Sequence, residues 1–297
     1  TIRHNKFVNS TNNGGTGCAS TVIVMHGYLR RILIDDNWIE ETVAVNAAGG
    51  CYGIQISPST VPDNMDYVTV SNNRIVNVAL GVSFQGPSHG VIANNHCILL
   101  LNTTLDRTCF TAQNLAANAD PDTPSGATWM VNNSCYIKDG NALSLCYQNT
   151  AGGTGHRMVS NVAYFAGAPN TGVTGFDYGA HTISDFQYAN YNAFWRVGGG
   201  GVFSNKGLNT AGFDVNSINS DLSTSSVTPV TPSWRIAFGS GPLTNAGHPT
   251  KSWRLGFQNK VATGARDIGA CDYNAVADEC GQSKTSTPDA PVWKTLQ

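Results

Sequence analysis

The chain has 297 residues, and only 12% of them are Asp, Glu, Lys or Arg, about half the usual share of roughly 25%. Glycine fills 32 positions and Asn 30, while 41% are hydrophobic, which argues against both a helical bundle and a disordered chain. The net charge is -2 with no Lys/Arg-rich run, so a nucleic-acid partner is not expected.

In chain order, a short phrase recurs: apolar, one or two polar residues, Asn, any residue, apolar. It begins at Ile2-Arg3-His4-Asn5-Lys6-Phe7 and returns at Ile34-Asp35-Asp36-Asn37-Trp38-Ile39. Further copies centre on Asn73, Asn95, Asn133 and Asn161, with a weaker seventh near Asn190. The marked asparagines are 32, 36, 22, 38, 28 and 29 residues apart. A constant phrase at a variable period is what a solenoid gives when each coil loops out its own insertion. Stacked coils lie about 4.8 Å apart. Asn5, Asn37, Asn73, Asn95, Asn133 and Asn161 are therefore expected to form an amide ladder, with Asn, which tolerates the left-handed backbone, as the one residue type that supplies both the ladder and the bend at the corner.

A second strand family precedes the Asn corner once per coil: Gly53–Ser57, Gly81–Gln85, Thr108–Gln113, Leu143–Gln148 and Gly175–Tyr178. Several alternate apolar and polar, as half-buried strands do. A third strand follows the corner, as in Arg74–Val78. The reading is an all-β, right-handed, single-stranded parallel β-helix with three short strands per coil. Residues 1–200 read as regular coils, 201–275 as irregular terminal coils and 276–297 as a tail or linker. No charged-then-apolar leader precedes Thr1, and the opening reads as a processed or truncated end. Apolar runs such as Cys97–Leu101 are far short of the ~18 residues of a membrane span.

Eight cysteines suit a disulfide framework outside the cytosol. Cys18 and Cys51 follow their marked Asn by 13 and 14 residues, and Cys109 and Cys146 by 14 and 13. The expected bridges are Cys18–Cys51 and Cys109–Cys146. Cys97 and Cys135 each follow their Asn by two and form either a bridge or a stack of thiols. Cys271 and Cys280 are placed to close a small terminal loop. There is no C-x-x-C pair, so no metal site is expected. Three glycosylation sequons begin at Asn9, Asn102 and Asn132.

Near the end, Ser233–Gly247 and Gly264-Ala265-Arg266-Asp267-Ile268-Gly269-Ala270-Cys271-Asp272 are similar to the final turns of many secreted β-helix proteins. The second segment looks like their R-x-D-I-G-A-Y-E ending, with Cys271 in place of the aromatic residue. The chain thus resembles the pectate-lyase-like β-helix superfamily, closest to bacterial secreted or surface proteins with a terminal D-I-G-A motif. The resemblance implies an extracellular or surface protein that binds, and in some members cleaves, polysaccharide. Ca²⁺ serves lyases of this kind, but no motif here supports it, and no cofactor is expected.

The candidate site follows from placement. His156 beside Arg157 could supply a base and a charge-neutralising cation. Gln55, Ser83, Gln85, Gln113, Gln148 and Asp177, flanked by His89 and His181, form a polar strip suited to sugar hydroxyls. Asp35–Asp36 reads as a structural corner. Trp38, Trp129 and Trp195 are left unplaced. The alternative is a structural subunit of a fibre or spike, self-associating through open solenoid ends without catalysis.

Overall fold

A computed structural model describes residues 1–9, 20–27, 30–42, 51–57, 66–85, 89–100, 107–113, 127–138, 144–167 and 172–220. Beyond these it describes 222, 228–230, 235–237, 242–243, 246–247 and 268–269. Cys18, Cys271, Cys280 and the 276–297 tail lie outside the described residues.

The strands fall into three parallel sheets. The first stacks β1 (Ile2–Arg3), β4 (Arg30–Asp35), β7 (Asp66–Ser71), β10 (Gly90–Ala93), β13 (Thr128–Val131), β16 (His156–Val159) and β19 (Phe186–Asn190). The second stacks β2 (Lys6–Val8), β5 (Trp38–Glu40), β8 (Arg74–Val76), β11 (His96–Leu99), β14 (Ser134–Ile137), β17 (Val162–Phe165), β20 (Ala193–Arg196) and β22 (Ile218–Asn219). The third stacks β3 (Thr21–Met25), β6 (Tyr52–Ile56), β9 (Leu80–Gln85), β12 (Thr108–Gln113), β15 (Leu145–Thr150), β18 (Thr174–Asp177) and β21 (Val202–Ser204). Each strand pairs with its counterpart one coil away. The fold is therefore a parallel β-helix with three strands per coil. A small antiparallel pair, β23 (Thr228–Val230) and β24 (Arg235–Ala237), stands apart from the three sheets. Among the described residues there is no α-helix, and none long and apolar enough to cross a membrane.

The Asn ladder runs the length of the stack. Asn5, Asn37, Asn73, Asn95, Asn133 and Asn161 each donate from Nδ2 to Oδ1 of the next, at 2.9–3.1 Å. The last acceptor is Asn192, so the weak seventh copy is two residues beyond Asn190. The same Oδ1 atoms also accept the backbone N–H of the previous ladder Asn. The bend, however, is made by the residue before. His4, Asp36, Asn72, Asn94, Asn132, Ser160 and Tyr191 carry φ between 50° and 59°. Bend and ladder are thus divided between neighbours: Asn supplies both at Asn72, Asn94 and Asn132, whereas His4, Asp36, Ser160 and Tyr191 make the bend in the other copies. The ladder Asn keeps ordinary backbone angles so that its amide points inward along the stack.

The core is built from register stacks. Ile34, Val70, Ile92, Met130, Met158 and Ala189 line the first sheet. Phe110, Tyr147 and Phe176 stack their rings at 5.2 and 5.0 Å on the third. All are buried, and burying one such aliphatic or aromatic side chain contributes about 1.5–3 kcal/mol. The Tyr147 hydroxyl lies 2.8 Å from the carbonyl oxygens of Asn133 and Val162, linking two coils from within.

The expected Cys109–Cys146 bridge is not formed. Cys109 bonds Cys135, with Cα atoms 5.9 Å apart, and Cys97 and Cys146 are free and buried. Register does place Cys97 opposite Cys135. The bond instead crosses the lumen diagonally, from the third sheet of one coil to the second sheet of the next. Interior side chains of different sheets point at one another, so register alone does not select the partner. Cys51 is also disulfide-bonded.

The chain then returns along the flank. Leu222, Leu243 and Ile268 are buried against Ile98, Val162, Tyr164 and Ala193 of the second sheet. The Gly269 N–H donates to Ser160 O at 2.7 Å, and Asn132 Nδ2 donates to Gly269 O at 3.1 Å. Ile268-Gly269 of the D-I-G-A motif therefore sits beside the corner of two middle coils.

Candidate functional site

Counting back from the ladder Asn fixes which way each side chain faces. Three residues before it the side chain points inward, and four before it outward. The outward row on the first sheet is Leu33, Thr69, Val91, Trp129, Arg157 and Tyr188, paired coil to coil. The Arg157 guanidinium lies 3.6 Å from the Trp129 ring centroid, a cation–π contact. Arg157 Nε donates to Gln187 Oε1 at 2.8 Å, and Trp129 Nε1 donates to Gly155 O at 3.2 Å.

Beside this row the Tyr67 and His89 rings stack at 4.9 Å and 8°. Tyr67 is exposed and has a φ of 54°, which turns its ring back over the strand edge. His89 Nδ1 lies 2.7 Å from Asp66 Oδ1. Between the Tyr67–His89 pair and Trp129 is a shallow cleft lined by Tyr67, Thr69, His89, Gly90, Val91, Ala127 and Trp129. None of these lining residues is a carboxylate, whereas a glycoside hydrolase uses two facing ones.

His156 and Arg157 are adjacent in sequence but face opposite ways. His156 is buried. Its Nδ1 accepts the Thr128 N–H at 3.1 Å, and its Nε2 faces Gly153 O at 3.2 Å. Both nitrogens are occupied in the neutral ring, and burial lowers its pKa, helped by the nearby His181. The His181 ring is 4.9 Å from that of His156, and its Nδ1 is 3.5 Å from Asp185. His156 thus has no nitrogen to offer a substrate, while Arg157 lies on the outer face.

The polar strip lies on the third sheet, away from the cleft. Thr21 Oγ1 donates to Gln55 Oε1, and Gln55 Nε2 donates to Gln85 Oε1 at 3.5 Å. Gln113 Nε2 donates to Gln148 Oε1 at 2.8 Å, and Gln148 Nε2 donates to Asp177 Oδ2 at 3.1 Å. Ser83 is fully buried. The strip spends its amides on its own neighbours, as a second, outer ladder.

The remaining candidates are structural in their contacts. Asp35 accepts from Arg3, Ser71 and Asn72, and Asp36 pairs with His4 at 2.9 Å. Trp38 lies between Lys6 and Arg74, and Trp195 packs against the flank cluster. Of the expected site residues, the structure brings His89 and Arg157 to one face, with Trp129 between them. Tyr67 was not singled out from the sequence. Its signal is position: it lies six residues before Asn73, at the start of β7.

No family model, no curated protein and no solved structure matches this chain.

Proposed function

We propose that the chain is an extracellular or surface β-helix protein that binds polysaccharide in the cleft between Tyr67–His89 and Trp129. The single observation that carries this reading is that cleft. Flat rings flank it on two sides, and its floor is apolar and made of strand. A sugar ring offers an apolar C–H face to such rings and hydroxyls to polar groups such as the His89 imidazole at the edge of the cleft. A likeness to the pectate-lyase-like superfamily, carried by the coil repeat and the D-I-G-A ending, supports the same class of ligand. Binding without cleavage is the better fit, because His156 is committed to the backbone and none of the described residues that line the cleft is a carboxylate.

The test is titration of the full chain with a panel of neutral and anionic glycans, read by tryptophan fluorescence and calorimetry. At least one glycan should bind, and Trp129→Ala should weaken it by tenfold or more. Parallel incubations should show no new reducing ends and no unsaturated products. Failure of every glycan to bind, or equal binding by Trp129→Ala, overturns the reading.

A further inference from the structure

Four cysteines from two adjacent coils meet in the core. Cys97 on β11 and Cys135 on β14 are register partners. Cys109 on β12 and Cys146 on β15 occupy one position, between the register pairs Thr108–Leu145 and Phe110–Tyr147. All four are fully buried. The sulfurs of Cys109, Cys135 and Cys146 lie within 4.8 Å of one another. Cys109 Sγ is also 3.8 Å from Cys97 O.

We propose that, when the Cys109–Cys135 bond is reduced, Cys109, Cys135 and Cys146 hold a thiophilic cation such as Zn²⁺, with the fourth position left to a water or another ligand. Zinc–sulfur bonds of about 2.3 Å in a tetrahedron put sulfurs about 3.8 Å apart. The cluster reaches that spacing with small side-chain movements. The site is buried, and soft thiolates favour soft or borderline metals over Ca²⁺ and Mg²⁺. Metal binding of this kind requires the thiols to be deprotonated, and a cation is what makes buried thiolates tolerable.

The chemistry balances simply. A dithiol reductant breaks the S–S bond, delivers two protons and two electrons to its sulfurs, and closes to its own cyclic disulfide. Each thiol that then binds the metal releases one proton to solvent. The bond and the ion are alternative crosslinks between the same two coils. Sequence spacing hides such a site: Cys109 and Cys135 are 26 residues apart, and coil stacking, not a C-x-x-C turn, joins the ligands.

The full chain, unfolded and refolded with a dithiol and Co²⁺, tests this. Wild type should take up one Co²⁺ per chain and show sulfur-to-metal charge transfer and the visible bands of tetrahedral thiolate cobalt. Zn²⁺ should displace the colour. Cys146→Ser retains Cys109 and Cys135, so its fold is first checked by circular dichroism under oxidising conditions. Refolded reduced, it should lose the bands; Cys135→Ser serves equally if Cys146→Ser does not fold. Reduced wild type without cobalt bands, whether or not it regains strand structure, overturns the proposal. So do bands that persist in a folded cysteine variant, since other thiols would then hold the metal.

Discussion

At the scale of single residues, two buried groups should give the stability opposite pH slopes. Asp214 ends the Asn ladder, accepting from Asn192 Nδ2 at 3.0 Å, Tyr178 Oη at 2.6 Å and Ser217 Oγ at 2.8 Å. Burial outweighs these three donors and raises its pKa to about 6. A folded-state pKa above the unfolded one means that the folded protein holds the proton more tightly. That stabilisation is complete below the unfolded value of 3.8 and is lost as pH rises through about 6. At about 1.4 kcal/mol per pH unit, the full swing is about 3 kcal/mol. Asp214→Asn should remove this slope, as read by urea midpoints from pH 4 to pH 7. His156 acts in the other sense. Its pKa is lowered by burial, so its contribution is complete above 6.5 and falls away as pH drops. His156→Gln should lift the stability at pH 5 relative to that at pH 7.5. A pH profile unchanged in either variant would show that the group does not titrate on unfolding.

At the scale of the element, the ladder and the inter-coil spacing set the tolerances. Asn95 donates to Val70 O, Ala93 O and Asn133 Oδ1, and accepts from Asn73 twice, all in the buried core. Asn5 begins the ladder and is exposed. An unsatisfied buried polar group costs about 1–3 kcal/mol. Asn95→Ala should therefore cost about 3 kcal/mol or more, and Asn5→Ala about 1 kcal/mol or less; equal urea midpoints would contradict the ladder. Gly81 shows the spacing limit. A Cβ there would lie 2.4 Å from Cys109 O and 2.8 Å from Cys97 Sγ, so Gly81→Ala should cost about 1–3 kcal/mol or more by overpacking. The ladder positions were legible because they repeat at one place per coil. The division between bend and ladder was not, because doublets such as Asn72-Asn73 and Asn94-Asn95 hide which residue does which. Copies with His4, Asp36 and Ser160 before the ladder Asn carry that information, since those residues adopt the left-handed bend.

At the scale of the molecule, the stacking axis was legible and the lumen was not. Neighbours along one sheet follow from register. Partners across the lumen follow from interior geometry, which is why Cys109 bonds Cys135 and not Cys146. The cleft was half legible: parity from the ladder Asn puts Arg157 outside and His156 inside. That Tyr67 and His89 would stack and face Trp129 depends on where successive coils sit along the axis.

The ends of the stack decide how far it could polymerise. A head-to-tail fibre needs the first coil of one chain to pair with the last coil of another. At the far end the 205–218 segment takes several carbonyls of the final coils. Asp214 N–H donates to Ala189 O, Ile218 N–H to Asn192 O and Asn205 N–H to Phe176 O. Phe213 closes the core behind them, 4.7 Å from the Tyr178 ring and 5.7 Å from that of Phe186, with 2% of its surface exposed. At the other end β1, β2 and β3 are edge strands, with Ile2 and Phe7 partly buried against the core. Among the described residues β19, β21 and β22 are likewise last in their sheets, so Phe213 and the 205–218 segment are what stands over the far end. Sedimentation velocity over a wide concentration range should show no open series of oligomers while that cover is in place. Phe213→Asp, which uncovers the far end, should lower stability by about 3–5 kcal/mol, the range for removing a buried Phe, and should promote association. A concentration-dependent series of larger oligomers in wild type would mean that the 205–218 segment leaves the end on assembly, and the fibre reading would then displace the monomeric binder.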